Sequence, residues 1–164
     1  MVKPMVKPYA ESCDQNREAI RQVLQTFVED KQSVLEIGSG TGQHAVYFAE
    51  CFPWLQWQTS ELLENHAGVQ CWIDESGLDN VKTPLLLDAS GIWPDKQYDV
   101  LYTANTVHIM SEKNVEALFE QCPACMTASS VLLMYGPFNY QGQYSSPSNE
   151  RFDGWLKQNN SLSG

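Results

Sequence analysis

The chain has 164 residues, 43% of them hydrophobic, which is enough material for one domain with its own core. Ten basic residues against twenty acidic ones give a net charge of −10, the opposite of the basic footprint a nucleic-acid binder carries, so no nucleic-acid partner is expected. No apolar run reaches the roughly 20 residues of a membrane span, and the lysines near the N-terminus lead into no apolar segment, so neither a membrane partner nor a signal peptide is expected.

A tandem Met-Val-Lys-Pro at 1–4 and 5–8 has two prolines and no apolar period, and reads as part of a flexible arm over 1–10, ahead of a single domain over 11–164. A first helix is predicted over about 13–30, with Ile20, Val23, Leu24, Phe27 and Val28 as a core-facing stripe and Ser12 with Gln15 as a capping box. A buried strand over 33–37 breaks into Gly38-Ser39-Gly40-Thr41-Gly42, and a helix follows from about 42 to 51, ended by Pro53. A second strand at 55–60 ends at Glu61, and a helix over 64–76 carries Val69, Trp72 and Ile73 on one face, with Gly77 just past its end. Strand three (81–87) ends at Asp88 and strand four (98–103) near Asn105. Ser111 caps a helix with Val115, Leu118, Phe119 and Cys122 on one face. Strand five (131–135) ends at Gly136-Pro137, and a last helix over about 148–158 packs Phe152, Trp155 and Leu156.

Five cysteines, an odd number scattered through helices and loops, read as reduced thiols of a cytoplasmic protein. Cys122-Pro123-Ala124-Cys125 follows a helix instead of starting one, so it lacks the setting of a redox motif, and no second pair completes a zinc site; no metal is expected. The tryptophans read as core residues.

Strands alternating with helices imply βαβ units, a mostly parallel sheet and a three-layer αβα sandwich. Ligands of such sheets bind at the carboxyl ends of the strands, beside the switch point. Those ends carry Glu36 with Gly38, Glu61, Asp88, Asn105, and Tyr135 with Gly136. A strand, a glycine turn and a helix in succession bring backbone N–H groups and a positive helix end to one point, which is a nucleotide-type site. Gly40-Thr41-Gly42-Gln43-His44-Ala45 fits the relaxed G-x-G-x-x-A fingerprint of nicotinamide enzymes, but that frame leaves Gly38 and Glu36 unexplained.

The frame Glu36-x-Gly38-x-Gly40-x-Gly42 instead resembles motif I of class I S-adenosylmethionine-dependent methyltransferases. Four blocks, Ser12 to Arg17, Glu36 to His44, Asn105 to Ile109 and Tyr135 to Asn139, are similar to the small methyltransferase-like 26 family, from about residue 8 onward. The resemblance implies a Rossmann-like class I methyltransferase fold. It implies S-adenosyl-L-methionine as cofactor, S-adenosyl-L-homocysteine as product, and transfer of a methyl group to a small-molecule acceptor. Glu36 would lie by the aminoacid end of the cofactor, with Gly38, Ser39, Gly40 and Gly42 against its methionine and ribose parts. Glu61 would accept the two ribose hydroxyls, as an acceptor-only carboxylate suits two O–H donors. Asp88, with Ala89, would meet the adenine amino group, and Asn105 would serve both cofactor and catalysis.

Duller roles compete for the same residues. Glu61 could favour the dipole of the helix after it, and Asp88 could cap the short turn 89–92. His108 is the candidate base, or else a hydrogen-bonded core histidine; His44 reads as a residue that orients the glycine turn. Asn16 and Arg17 would close over the pocket or hold an anionic substrate, if not a solvated helix face, and Tyr135 and Asn139 would line the substrate pocket. The family's usual antiparallel strands six and seven are missing, which leaves strand five as an apolar edge that a homodimer or the terminal helix would cover. The other functional readings are a catalytically silent methyltransferase-fold binding protein and an NAD(P)-dependent oxidoreductase.

Overall fold

A computed structural model describes residues 6–164. Its elements in chain order are α1 (Glu11–Val28), β1 (Ser33–Glu36), α2 (Gln43–Cys51), β2 (Gln56–Glu61), α3 (His66–Ser76), β3 (Val81–Leu86), β4 (Tyr98–Ala104), α4 (Glu112–Gln121), β5 (Met126–Tyr135), β6 (Asn139–Tyr140), β7 (Gln143–Tyr144) and α5 (Pro147–Asn159). Five strands form one sheet in the order β3-β2-β1-β4-β5, every neighbouring pair parallel. The chain therefore runs outward through β2 and β3, then crosses back to the other side of β1 for β4, leaving a switch point between the ends of β1 and β4.

Burial follows from this order. The inner strand β1 reads Val34-Leu35-Glu36 without alternation because both of its faces are covered. Val34, Trp57, Val100 and Tyr102 pack on one face with Leu24, Phe48 and Val69 of the helices; Leu35, Ile37 and Leu101 pack on the other with Trp93 and Leu118. Asn80 is buried and its amide donates to the carbonyls of Ala49 at 2.8 Å and Leu55 at 3.0 Å, closing the loop between α2 and β2.

The edge strands carry irregularities with local causes. Pro84 lies in β3, where its missing N–H is tolerated at an edge, and the pairing with β2 shifts register between Gln58 and Ser60 beside it. Strand β5 starts at Met126, five residues before the expected Val131, because its pairing with β4 shifts register between Tyr98 and Val100. Ser130 holds that bulge by donating to the Tyr98 carbonyl at 2.7 Å and accepting from Thr127 N at 2.8 Å. A second copy over the β5 edge has no support here.

Several expectations need correction. Ser12 lies inside α1, which begins after Ala10, and the orphan N–H of Ala10 reaches the Gln43 side chain at 2.6 Å in place of a capping box. Val23 and Phe27 are exposed; only Ile20, Leu24 and Val28 of the expected stripe are buried. Phe119, Phe152, Trp155 and Trp54 are also exposed, so the aromatic content overstated the core. The hairpin β6–β7 was not expected; its turn puts Gln141 (φ 54°) and Gly142 (φ 77°) in the left-handed region, as a two-residue hairpin loop requires. It forms a sheet of its own and adds nothing to the parallel sheet.

Residues 1–5 of the expected arm lie outside the described residues. Residues 7–10 pack on the domain: Lys7 pairs with Glu75 at 2.6 Å and lies 3.4 Å from the Trp72 ring centroid, and Trp72 donates to the Pro8 carbonyl at 2.7 Å.

Candidate functional site

The glycine turn after β1 is shaped by contacts that exclude side chains. Gly38 has φ +73°, and a Cβ there would lie 2.7 Å from the Thr106 side chain. Gly42 has φ +93° and starts α2, where a Cβ would meet the Val69 backbone at 3.1 Å. Between them the Gly40 N–H donates to Glu61 Oε2 at 2.7 Å, and the Ser39 N–H donates to the Ser60 carbonyl at 2.9 Å. The end of β2 thus holds the turn after β1.

Glu36 is almost fully buried, and Oε2 accepts from Ser39 Oγ at 2.9 Å and from Trp57 Nε1 at 3.0 Å. Burial pushes its carboxyl up to about 7, opposed by those two donors and reinforced by the nearby Glu61 charge. Glu61 is also buried, and its second oxygen accepts from the Leu62 N–H at 2.8 Å. Asp88 is exposed, and Oδ1 accepts from the N–H and the hydroxyl of Ser90 at 3.0 and 3.1 Å; the capping role weighed for it is therefore real, and it engages one oxygen only. Asn105 sits at φ 53°, an uncommon conformation for a residue with a side chain, and its N–H donates to the Tyr135 carbonyl at 2.9 Å.

These groups share one cavity of about 660 Å³, in the size range of pockets for drug-sized ligands. Glu36, Gly38, Ser39, Gly40, Glu61, Asp88, Ala89 and Asn105 all line it; Gly42 does not, being packed beneath against α3. His44 also lines it, donating from Nε2 to Asn16 Oδ1 at 2.7 Å when it carries the Nε2–H tautomer. Burial lowers the His44 imidazole to about 4, so it is neutral near pH 7.

His108 lies outside this cavity, in a 3-10 turn at Val107–Ile109, and lines an adjoining cavity together with Asn139. Burial lowers its basicity as well. Asn16 is engaged with His44, and Arg17 pairs with Asp14 at 2.9 Å and lies 4.7 Å from the Tyr47 ring, lining a separate small cavity with residues of α2 and α3. Tyr135, at the exposed end of β5, lines none of the three.

Sequence reasoning passed over Ser12, Cys13, Leu62, Asn114, Asn160 and Leu162, which also line the main cavity. The first two arrive because Gln43 ties the start of α1 to α2, and the Ser12–Arg17 block was the signal that could have found them; the last two arrive with the segment after α5, which no local motif marks. Cys122 and Cys125 are buried with raised thiol values, Cys122 at about 11, and both are free. Among the described residues, no group of three or more His, Cys, Asp or Glu is placed to hold a metal, and no helix is long and apolar enough to cross a membrane.

A family model described as "Protein of unknown function (DUF938)" matches residues 7–164, which takes in every residue of both cavities. The chain belongs to the DUF938 family. This DUF938 chain is similar in fold to the mitomycin 7-O-methyltransferase MmcR, with TM-score 0.73 and 19% identity over 87% of this chain and 42% of that one. It is similarly related to the S-adenosylmethionine-dependent methyltransferase SibL in its apo form, with TM-score 0.74 and 17% identity over 87% and 41%. The glycopeptide N-methyltransferase MtfA complexed with S-adenosylmethionine gives 0.65 and 16% over 82% and 58%. At these identities the match is one of fold: the DUF938 chain has the Rossmann-like architecture of these methyltransferases and spans about two-fifths of the length of the first two.

Proposed function

We propose that this DUF938 protein is an S-adenosylmethionine-dependent methyltransferase acting on a small-molecule acceptor in the cytoplasm. The reading extends the resemblance to the methyltransferase-like 26 family. The observation that carries it is the convergence of Glu36, Gly38, Gly40, Glu61, Asp88 and Asn105 on one cavity at the switch point of the sheet.

The residues present fit that cofactor. Glu36 is a buried carboxylate held by donors on one oxygen and suits the ammonium of the aminoacid end. Glu61 has one backbone donor on each oxygen, and each oxygen keeps a lone pair for a ribose hydroxyl. Asp88 has its Oδ2 available for the adenine amino group. Gly38 leaves the space beside Thr106 that a side chain would close. When bound, the cofactor supplies a methyl group on a sulfonium, already reactive toward a nucleophile.

The protein's task is then chiefly alignment, and effects of proximity and orientation reach about 7–11 kcal/mol. Asn105, fixed in its left-handed conformation after the end of β4, is the proposed orienting residue on the wall of the first cavity. His108 is the proposed base. It lines the adjoining cavity, where a base must be if it serves the acceptor and not the cofactor, and burial lowers its pKa and so keeps the imidazole in the neutral, proton-accepting form. Asn139 is a further acceptor-side residue.

Calorimetric titration with S-adenosylhomocysteine tests the cofactor assignment; binding of NAD(H) in its place would overturn it. A methyl-acceptor screen with labelled donor tests the activity. His108→Ala is expected to lower turnover by about 10²–10⁴ while S-adenosylhomocysteine affinity stays unchanged, and unchanged turnover would make His108 structural.

A further inference from the structure

Beside the first cavity lies a larger one of about 960 Å³, and the two share Met110, Ser111 and Leu162. Most of its wall comes from the chain after β5: the Pro137-Phe138 turn, the β6–β7 hairpin, α5 and the segment that follows. That segment is tied down over the 3-10 turn of His108, with Gly164 N donating to the His108 carbonyl at 3.1 Å and Ser163 Oγ to the Ile109 carbonyl at 3.2 Å.

The lining has a consistent chemistry. The His108 and Phe152 rings meet edge to face at 5.4 Å, and Phe152 stacks on Trp155 at 6.0 Å. Phe138 comes in from the other side: a Cβ on Gly136 would sit 3.5 Å from the Phe138 ring and 3.6 Å from His108 Nδ1, so both converge on one stretch of backbone. Two of the charged groups are paired with each other: Asp153 accepts from Lys157 at 2.7 Å, and also from the Tyr144 hydroxyl at 2.6 Å. Glu112 and Lys113 are exposed and of opposite sign. The Asp153–Lys157 pair is already satisfied, and the exposed charges of Glu112 and Lys113 are weakened by solvent, so a charged ligand gains little for the hydration it loses, whereas a flat ring gains contact with aromatic faces. His108 is the histidine of this cavity, and burial keeps it a neutral acceptor. An acceptor of modest basicity bonds better to the more acidic O–H, a phenol (about 10) rather than an aliphatic hydroxyl nearer water (about 15.7).

We propose that this second cavity binds an uncharged, planar aromatic molecule bearing a phenolic hydroxyl that donates to His108, and that this molecule is the methyl acceptor. The last clause rests on the methyltransferase reading; the binding itself does not.

The test is calorimetry with 2-naphthol and 2-naphthoate, run beside S-adenosylhomocysteine, with NMR of the histidine rings. 2-Naphthol should bind at least tenfold more tightly than 2-naphthoate, and it should lower the midpoint of the His108 titration. Phe152→Ala should weaken it about tenfold; since Phe152 is 38% exposed, truncation spares the core, and Phe138→Ala, at 39%, is the second variant. No binding of 2-naphthol, equal binding of the carboxylate, or affinity unmoved in both variants overturns the proposal. Binding of S-adenosylhomocysteine without 2-naphthol overturns this site alone, and binding of 2-naphthol without S-adenosylhomocysteine upholds the aromatic site while removing its role as acceptor pocket.

Discussion

Replacing Glu36 by glutamine should make the protein more stable and worse at holding its cofactor. The buried carboxyl titrates at about 7 in the fold against an ordinary value of 4.5. Across that window the folded state holds the proton that the unfolded chain has released, so stability falls as pH rises from about 4.5 and levels off above 7. The gap of roughly 2.5 pH units, at about 1.36 kcal/mol each, comes to about 3 kcal/mol at pH 8. Glutamine removes the titration while its carbonyl still accepts from Ser39 and Trp57, at the expense of exchanging charge-assisted bonds for neutral ones. We expect E36Q to exceed the wild type by about 2–3 kcal/mol at pH 8 and to match it at pH 4. His44 works in the opposite sense. Its pKa drops from 6.5 to about 4, so the unfolded chain binds the extra proton and stability rises with pH through that window. In the wild type the two slopes nearly offset each other; in E36Q the upward slope of His44 stands alone. Urea denaturation at pH 4, 6 and 8 reads both effects. S-adenosylhomocysteine affinity at pH 8 should fall about 10–150-fold in the same variant, from the loss of a charge-assisted bond worth about 1.5–3 kcal/mol. An E36Q protein less stable than the wild type at pH 8, or a stability gap that ignores pH, refutes the reasoning.

Gly38→Ala should lose about 1–3 kcal/mol in denaturant unfolding, since it combines a positive φ with a 2.7 Å approach to Thr106; Thr106→Ala in the same chain should recover the steric part. Glu61→Ala should weaken S-adenosylhomocysteine binding at least tenfold by calorimetry and also loosen the glycine turn, seen as faster amide exchange at Gly40, whose acceptor it removes. Asn80→Ala should cost about 2–3 kcal/mol in thermal or urea unfolding, because buried carbonyls of Ala49 and Leu55 lose their donor.

The parallel sheet and the strand-end residues that share the first cavity were legible because they depend on local signals. An apolar run that breaks into glycines, and a carboxylate at the end of each of three strands, survive as patterns in one dimension. The helix faces were less legible: Val23 and Phe27 keep the spacing of a core stripe, yet α1 turns only Ile20, Leu24 and Val28 inward. The hairpin at 139–144 was hidden because its turn is Gln-Gly, not the Asn-Gly or Asp-Gly that announces such loops. Of the second cavity, only His108 and Asn139 stood out in the sequence as candidate site residues. Its walls come from a helix start, a hairpin, a terminal helix and the segment after it, brought together by backbone bonds such as Gly164 to His108 that no periodicity foretells.

The carboxylates of the first cavity and most of the wall of the second come from different stretches of the chain. Glu36, Glu61, Asp88 and Asn105 all precede residue 106, whereas Phe138, Asn139, Tyr144, Phe152 and Leu156 all follow 137, and only Met110, Ser111 and Leu162 belong to both. Changes after β5 therefore reshape the second chamber without touching a carboxylate of the first. Grafting residues 137–164 from a relative would replace most of the second chamber's wall, together with Asn160 and Leu162 of the first, and leave Glu36, Glu61, Asp88 and Asn105 in place.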